Sequence, residues 1–245
     1  MANARSYVGT SGWNYDHWKE VFYPGTITQD EWFNHYAGRF DTTEVDRSFH
    51  QVPEPDTVER WLEQTPADFR LTLQLWRGVT HMKRLKASLG FLRRFMKVAE
   101  ALPTRQRGPI LAKIPGDLPR DDDRLRDFLE AFKEASGDSR WKLAVEFRHD
   151  SWLDKDVTRL LDRFRVARVM HDHPGGGAVG EPNDSSFIYI RCHGPGRYGK
   201  ELTGRLARRV NGFLSGGRSC FVYFNNHREG YAIKDAQRLR DLTGG

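Results

Sequence analysis

The chain has 245 residues, 38% hydrophobic, 12% aromatic and 29% charged, and 39 Lys plus Arg against 33 Asp plus Glu give a formal net charge of +6. It is long enough for one α/β barrel, which takes ~250 residues, and too rich in aromatics for a disordered chain. No stretch approaches the ~20 apolar residues of a membrane span, the residues from Met1 to Val8 hold no apolar signal core, and Cys192 and Cys220 are too few for a disulfide framework or a Cys-built zinc site.

These features predict a cytoplasmic protein with two reduced thiols and no membrane partner. The basic residues are 29 Arg and 10 Lys. Guanidinium forks match phosphate oxygens, so the excess suits phosphate-bearing partners. Ordinary surface charge gives the same composition, and no run of basic residues marks a nucleic-acid arm.

Short apolar runs alternate with segments of helical period, the rhythm of βα units. Strands are predicted at 6–9, 41–45, 69–75, 109–113, 142–146, 166–170, 186–191 and 219–224. Leu89, Leu92, Phe95, Met96 and Ala99 fall on one helical face. So do Leu125, Phe128, Leu129 and Phe132, and Val157, Leu160, Leu161 and Phe164. Further helices are predicted over 201–214, with Leu206, Val210 and Phe213 on one side, and over 234–242. The stretch between Met170 and Ser186 is Gly- and Pro-rich, so the helix after the sixth strand is expected to be missing or replaced by a loop. Eight strands without a linker predict a single (β/α)8 TIM barrel over residues 1–245. An open doubly wound sheet is the alternative, but no phosphate loop ending in Gly-Lys-Ser/Thr occurs.

In such barrels the active site lies at the C-terminal strand ends. Those ends carry Glu44 and Asp46, Lys113, Glu146 and Arg148, Arg191 and His193, and Asn225 and Asn226. Period-two alternation gives Glu44 the same face as Asp46, Glu146 the same as Arg148, and Arg191 the same as His193. Charge at nearly every strand end is foreign to a core. One reading is catalytic, with Glu44 and Glu146 as acid and base and His193 as a proton shuttle. Arg148, Arg191 and Lys113 would then hold an anion, and Asn225 and Asn226 would orient a hydroxyl or amide. The other reading is a ring of salt bridges closing the barrel top. Trp13, Tyr15 and Trp18, in the loop after the first strand, either stack on a sugar or base or pack as a lid. His171, Asp172, His173 and Glu181 are metal ligands by type, but no ligand spacing joins them. No metal-binding residues are assigned, although a divalent metal is possible.

Several blocks, taken together, resemble one family. They are Gly9-Thr10-Ser11-Gly12-Trp13-Asn14-Tyr15 with Trp18 and Phe22-Tyr23-Pro24-Gly25, then Phe40 to Phe49, Val79-Thr80-His81, and Ala144 to His149 followed by Ser151-Trp152. Tyr189-Ile190-Arg191 with His193-Gly194, and Val222 to Asn226, complete the set. In this order they resemble the YecE-like family, also called domain of unknown function 72. The resemblance implies a TIM barrel and no established reaction. It also implies departures here: Gln74 stands where the third strand usually ends in lysine, and Lys113 stands where the block after the fourth strand usually begins with glutamine. The favoured expectation is an enzyme of hydrolase or isomerase type acting on a small phosphate- or sugar-containing substrate. A nucleic-acid binder or repair-type phosphodiesterase, and a non-catalytic scaffold, are the alternatives.

Overall fold

The computed structural model describes residues 4–86, 89–139, 141–173 and 181–244. In chain order its elements are β1 (Ser6–Thr10), α1 (Trp32–Ala37), β2 (Thr42–Val45), α2 (Arg47–His50), α3 (Pro55–Glu63), β3 (Arg70–Gln74), a π-turn (Gly78–Met82) and α4 (Leu89–Ala99). There follow β4 (Arg107–Ile114), α5 (Asp122–Ser136), β5 (Leu143–Phe147), α6 (Lys155–Phe164), β6 (Ala167–Arg168) and β7 (Met170–His171). The last are β8 (Phe187–Cys192), α7 (Gly199–Ser215), β9 (Ser219–Phe224) and α8 (Tyr231–Thr243).

All strand pairs are parallel, and they form two sheets of order β1-β9-β8-β7 and β2-β3-β4-β5-β6. The architecture is therefore mixed α/β with parallel sheets, but the hydrogen-bonded ladder does not run as one ring of eight. The sixth expected strand is the reason. Its first half pairs with β5, Ala167 opposite Ala144, and its second half pairs with β8, His171 opposite Arg191. The chain changes neighbours at Val169, whose N–H still bonds the Val145 carbonyl at 2.9 Å. At the other seam the sheets meet through a single bridge between Ser11 and Glu44. The connection after β7 shows no helix among its described residues, and 174–180 lie outside them.

The sequence pattern explains where the apolar surface goes. Strands buried on both faces read as apolar runs, because helices cover the outside. A large core of Val8, Leu73, Ile110, Val145, Ile190 and Val222 packs outward against the helices. The alternate residues Leu111, Ala144, Ala167, Val169, Phe187, Tyr189, Phe221 and Tyr223 form a second cluster on the inner faces. Both sheets contribute to it, so they share one interior. Gly9 is needed at the β1/β2 seam, since a Cβ there would stand 2.2 Å from the Thr42 carbonyl oxygen.

The helices expected from periodicity bury the expected faces: Leu92, Phe95 and Met96 on α4, Leu125, Phe128 and Leu129 on α5, and Val157 and Leu161 on α6. The last helix begins at Tyr231, earlier than expected, because Gly230 takes a left-handed φ of 67° as its cap and lets Ala232 and Ile233 join the buried face. The short helices α1 to α3 offered too few periodic residues to be read from sequence.

Candidate functional site

The inner-face rows of the strands end, at their C-terminal side, in polar side chains. On β2 the row Thr42, Glu44 continues to Asp46, on β4 Leu111 leads to Lys113, and on β8 Tyr189 leads to Arg191 and then His193. Period-two alternation thus delivers all of them to one place.

Arg191 is the centre. Its side chain is 2% exposed. Nε donates to Glu44 Oε2 at 3.0 Å and Nη2 to Glu44 Oε1 at 2.7 Å, while Nη1 donates to Glu146 Oε2 at 2.7 Å. Glu44 also accepts from Ser11 Oγ at 2.7 Å, Gln74 Nε2 at 2.5 Å and Tyr189 Oη at 2.6 Å. Burial pushes the Glu44 carboxyl up, but Arg191 and the surrounding donors outweigh it and hold the group below the usual carboxylate range. Glu146 is fully buried and accepts from Arg148 Nε at 2.8 Å as well as from Arg191. Against the same burial, Arg191, His193 and Arg148 keep it well below the usual range. Both glutamates are therefore ionised and engaged, and the Arg191 guanidinium is committed to them.

His193 lies against this pair. Its Nε2 is 3.3 Å from Arg191 Nη1 and 3.7 Å from Glu146 Oε2, and its Nδ1 is 3.2 Å from Asn225 Nδ2. Burial lowers its pKa, with Glu146 partly opposing, so the ring is neutral at pH 7. Its backbone N–H donates to Asp172 at 2.5 Å, and Tyr198 Oη donates to the same carboxylate. The ring of His173 stands 5.0 Å from that of His193.

Two cationic heads differ from Arg191. Lys113 faces Glu146 as its register partner on β5. Yet among the described residues its ammonium has no hydrogen-bond or ion-pair partner, and its contact is the ring of Phe49, 3.5 Å below Nζ. Burial, with Arg191 and Arg148, lowers its pKa to about 7, against the pull of Glu146 and Glu44. Arg148 uses Nε alone; its two terminal nitrogens have no partner among the described residues, and its side chain is 26% exposed. His81, on the π-turn, is lowered to about 4 by burial and by Lys113, Arg148 and Arg77.

Beside the cluster opens a cavity of about 460 Å³, lined among others by Trp13, Tyr15, Phe33, Asp46, Arg60 and Trp61. Tyr15 and Asp46 connect it to the strand ends: Tyr15 Oη donates to the Ser11 carbonyl at 2.7 Å and lies 3.3 Å from Asp46 Oδ2. Burial and the nearby Glu44 raise the Asp46 carboxyl. Trp13 and Tyr15 each have one ring face occupied, Trp13 stacking on Phe33 at 4.0 Å and Tyr15 on His227 at 4.6 Å.

The structure thus brings Glu44, Glu146, His193, Arg148, Arg191, Lys113 and Asn225 together, with Trp13 and Tyr15 lining the adjoining cavity. Asn226 is placed elsewhere. Its Nδ2 donates to the Gly196 carbonyl and to Asp235, each at 2.9 Å, tying the loop after β8 to α8. Trp18 is fully buried, with Nε1 donating to the His227 carbonyl at 2.8 Å. Glu181 pairs with Arg209 on α7, and His171 Nε2 bonds the Phe147 carbonyl at 2.8 Å. No group of three or more His, Cys, Asp or Glu among the described residues is arranged to hold a metal ion. Ser11, Gln74 and Tyr189 were missed as partners of Glu44, although Tyr189, two residues before Arg191, was accessible to the same parity.

A family model described as "Protein of unknown function DUF72" matches residues 7–245. The chain is 26% identical over 172 residues to UPF0759 protein YecE of Escherichia coli K12, a match covering 68% of this chain and 58% of that protein. A second UPF0759 protein YecE, from Escherichia coli O157:H7, is 25% identical over 61% of this chain and 50% of its own. The matches span little more than half the length of these relatives. A DUF72 family protein from Thermotoga maritima has the same fold at a TM-score of 0.87 and 24% identity, covering 98% of this chain and 100% of that one. One from Enterococcus faecalis gives 0.81 at 15% identity, covering each chain fully. A D-psicose 3-epimerase, solved in the presence of D-fructose, gives 0.54 at 11% identity over 90% of this chain and 95% of its own. No helix among the described residues is long and apolar enough to cross a membrane. With the family model matching nearly the whole length, the chain belongs to the DUF72 family of proteins of unknown function.

Proposed function

We propose that the two sheets are the halves of one (β/α)8 barrel domain and that its C-terminal mouth is the active site of an enzyme. The substrate is a small molecule bearing a phosphate or sugar, and the reaction is of isomerase or hydrolase type, driven by proton transfer. The observation that carries this is the contrast among three cations. Arg191 is consumed by two carboxylates, while Lys113 and the terminal nitrogens of Arg148, at the ends of adjacent strands, have no hydrogen-bond or ion-pair partner among the described residues. A salt-bridge ring that only closed the barrel would have satisfied all three, because an unpaired, partly buried cation opposes folding.

In this reading Arg148 and Lys113 hold the anionic group, and the cavity walled by Trp13 and Tyr15 takes the rest of the substrate. Glu44 and Glu146, ionised and held by arginines, set the field and fix Arg148 and His193 rather than moving protons themselves. His193, neutral at pH 7 and held from Asn225, is the group placed to move a proton. The likeness to the epimerase extends to fold alone, so the chemistry rests on these residues. A nucleic-acid role draws less support, since Trp13 and Tyr15 already stack inside the protein.

The test has two measurements on the same protein. Calorimetric titration with inorganic phosphate and a panel of sugar phosphates should show binding that weakens roughly 10- to 100-fold in Arg148→Ala, the value of a charge-assisted hydrogen bond. Incubation of the same panel in deuterium oxide, read by proton NMR, should show exchange of a carbon-bound hydrogen that His193→Gln abolishes. Binding indifferent to Arg148, with no turnover across the panel, overturns the reading.

A further inference from the structure

We propose that Lys113 is a nucleophile that condenses with a carbonyl substrate to form an imine. This rests on the mouth being the substrate site; it gives Lys113 the carbonyl and leaves the anionic group to Arg148, and it narrows the substrate class to aldehydes or ketones.

The argument begins with what Lys113 lacks. Glu146 is its register partner, the natural place for an ion pair. Instead Glu146 accepts from Arg148 on one oxygen and from Arg191 on the other. Glu44, the other buried carboxylate, accepts from Arg191 on both oxygens. Both carboxylates are thus taken up by arginines, and the amine is left without a partner among the described residues, its head above Phe49. Lys113 is nevertheless only partly buried, so its side chain is not sealed into the interior.

The surroundings favour the neutral amine. From β8 Arg191 and from β5 Arg148 repel a proton on Nζ; from β5 Glu146 and from β2 Glu44 and Asp46 attract it. From the π-turn His81 is neutral, and from α2 the Phe49 face favours the cation. Burial and the two guanidinia prevail and bring the pKa down to about 7, which makes the neutral amine far more populated near neutral pH than in an ordinary lysine. A lysine desolvated beside other cations is the usual arrangement for amine nucleophiles.

The step is balanced without a further reactant. The Nζ lone pair attacks the carbonyl carbon and the C–N bond forms as the C=O π bond opens onto oxygen. Both amine protons leave with that oxygen as water, and the nitrogen lone pair closes the C=N bond.

The probes are pyridoxal and pyridoxal 5′-phosphate, the same aldehyde without and with a phosphate. Each is incubated with the full chain at pH 7, reduced with borohydride to fix any imine as a secondary amine, and mapped by peptide mass spectrometry. Lys142 is the internal control, because burial and Arg70 lower its pKa at the other end of β5. Lys113 is expected to be modified at least ~10-fold faster than Lys142, with a rate that rises through pH 7, because an ordinary lysine is almost wholly protonated there. Lys113→Arg, which keeps the charge, should lose that modification alone. Lys113 reacting no faster than Lys142 in the wild-type chain overturns the proposal, whether or not the variant folds. Equal modification by the two probes supports the nucleophile while removing the phosphate reading; a preference for the phosphorylated probe that Arg148→Ala abolishes supports both.

Discussion

Arg191 and Glu44 are joined across the interior by a two-pronged ion pair, Nε to Oε2 at 3.0 Å and Nη2 to Oε1 at 2.7 Å, and neither side chain reaches solvent. The two residues are 147 positions apart and lie in different sheets. The pair therefore pins the halves of the fold together at the end where the site is built. Glu44→Gln leaves Arg191 with one charged partner. Urea unfolding should show a loss of about 3–5 kcal/mol, the range for breaking a buried pair from one side. A loss below about 1 kcal/mol would show that the halves do not depend on it.

Stability should fall in acid. Both glutamates titrate below their ordinary value of 4.5 in the folded chain. The unfolded chain binds those protons more tightly, so the stabilisation is complete above that value and is lost as pH falls through the folded-state pKa values. The histidines with lowered pKa already cost some stability as pH falls below 6.5; the glutamates should add a further drop in the denaturation midpoint below about pH 4.5, and Glu146→Gln should flatten that further drop. A midpoint unchanged down to pH 3 would contradict the burial of this network.

Lys113 works in the opposite direction. Its pKa is lowered from 10.5 to about 7 on folding. Between those values the unfolded chain binds the proton more tightly, so the cost of the charge is full below pH 7 and fades as pH rises toward 10.5. Lys113→Met should therefore stabilise the protein at pH 6 by about 1–2 kcal/mol, discounted for the solvent its head reaches, and by much less at pH 10. Calorimetric melting of both proteins at the two pH values decides it; a destabilised variant at pH 6 would mark Lys113 as a structural cation.

Below the charged layer, Tyr223 Oη lies 2.8 Å from Thr42 Oγ1 and 2.7 Å from Thr72 Oγ1, all buried. Tyr223→Phe leaves these hydroxyls short of a partner. Thermal unfolding should show a loss of about 1–3 kcal/mol with the fold retained.

Gly12 carries a φ of 79°, and a Cβ there would stand 2.7 Å from Tyr15 Oη and 3.1 Å from either Asp46 oxygen. Gly12→Ala strains the backbone and displaces the wall between the cavity and the strand ends. Loss of sugar-phosphate binding beyond what the melting temperature explains is the expected result of titration; binding equal to wild type would place the substrate elsewhere.

Much of this was legible in the chain. Alternation put Glu44 on the face of Asp46, Glu146 on that of Arg148 and Arg191 on that of His193, because side-chain direction in a strand is fixed by local geometry. The same rule would have found Tyr189. Asn226 is singled out by residue type rather than by alternation, and it turns away toward Asp235. Residues 166–170 read as one strand in the sequence, because nothing local says that a five-residue stretch will change partners at Val169.

The sequence by itself determined the strand positions, the inward rows and the family, for these depend on residue type and short spacing. The tertiary structure decided which charges are paired. Whether a guanidinium is satisfied or left free depends on which strands lie opposite one another and in what register, and that relation spans most of the chain. Arg148, Arg191 and Lys113 look alike as strand-end cations; only the fold commits Arg191 to both glutamates and leaves the Lys113 amine, among the described residues, with the Phe49 ring in place of a carboxylate.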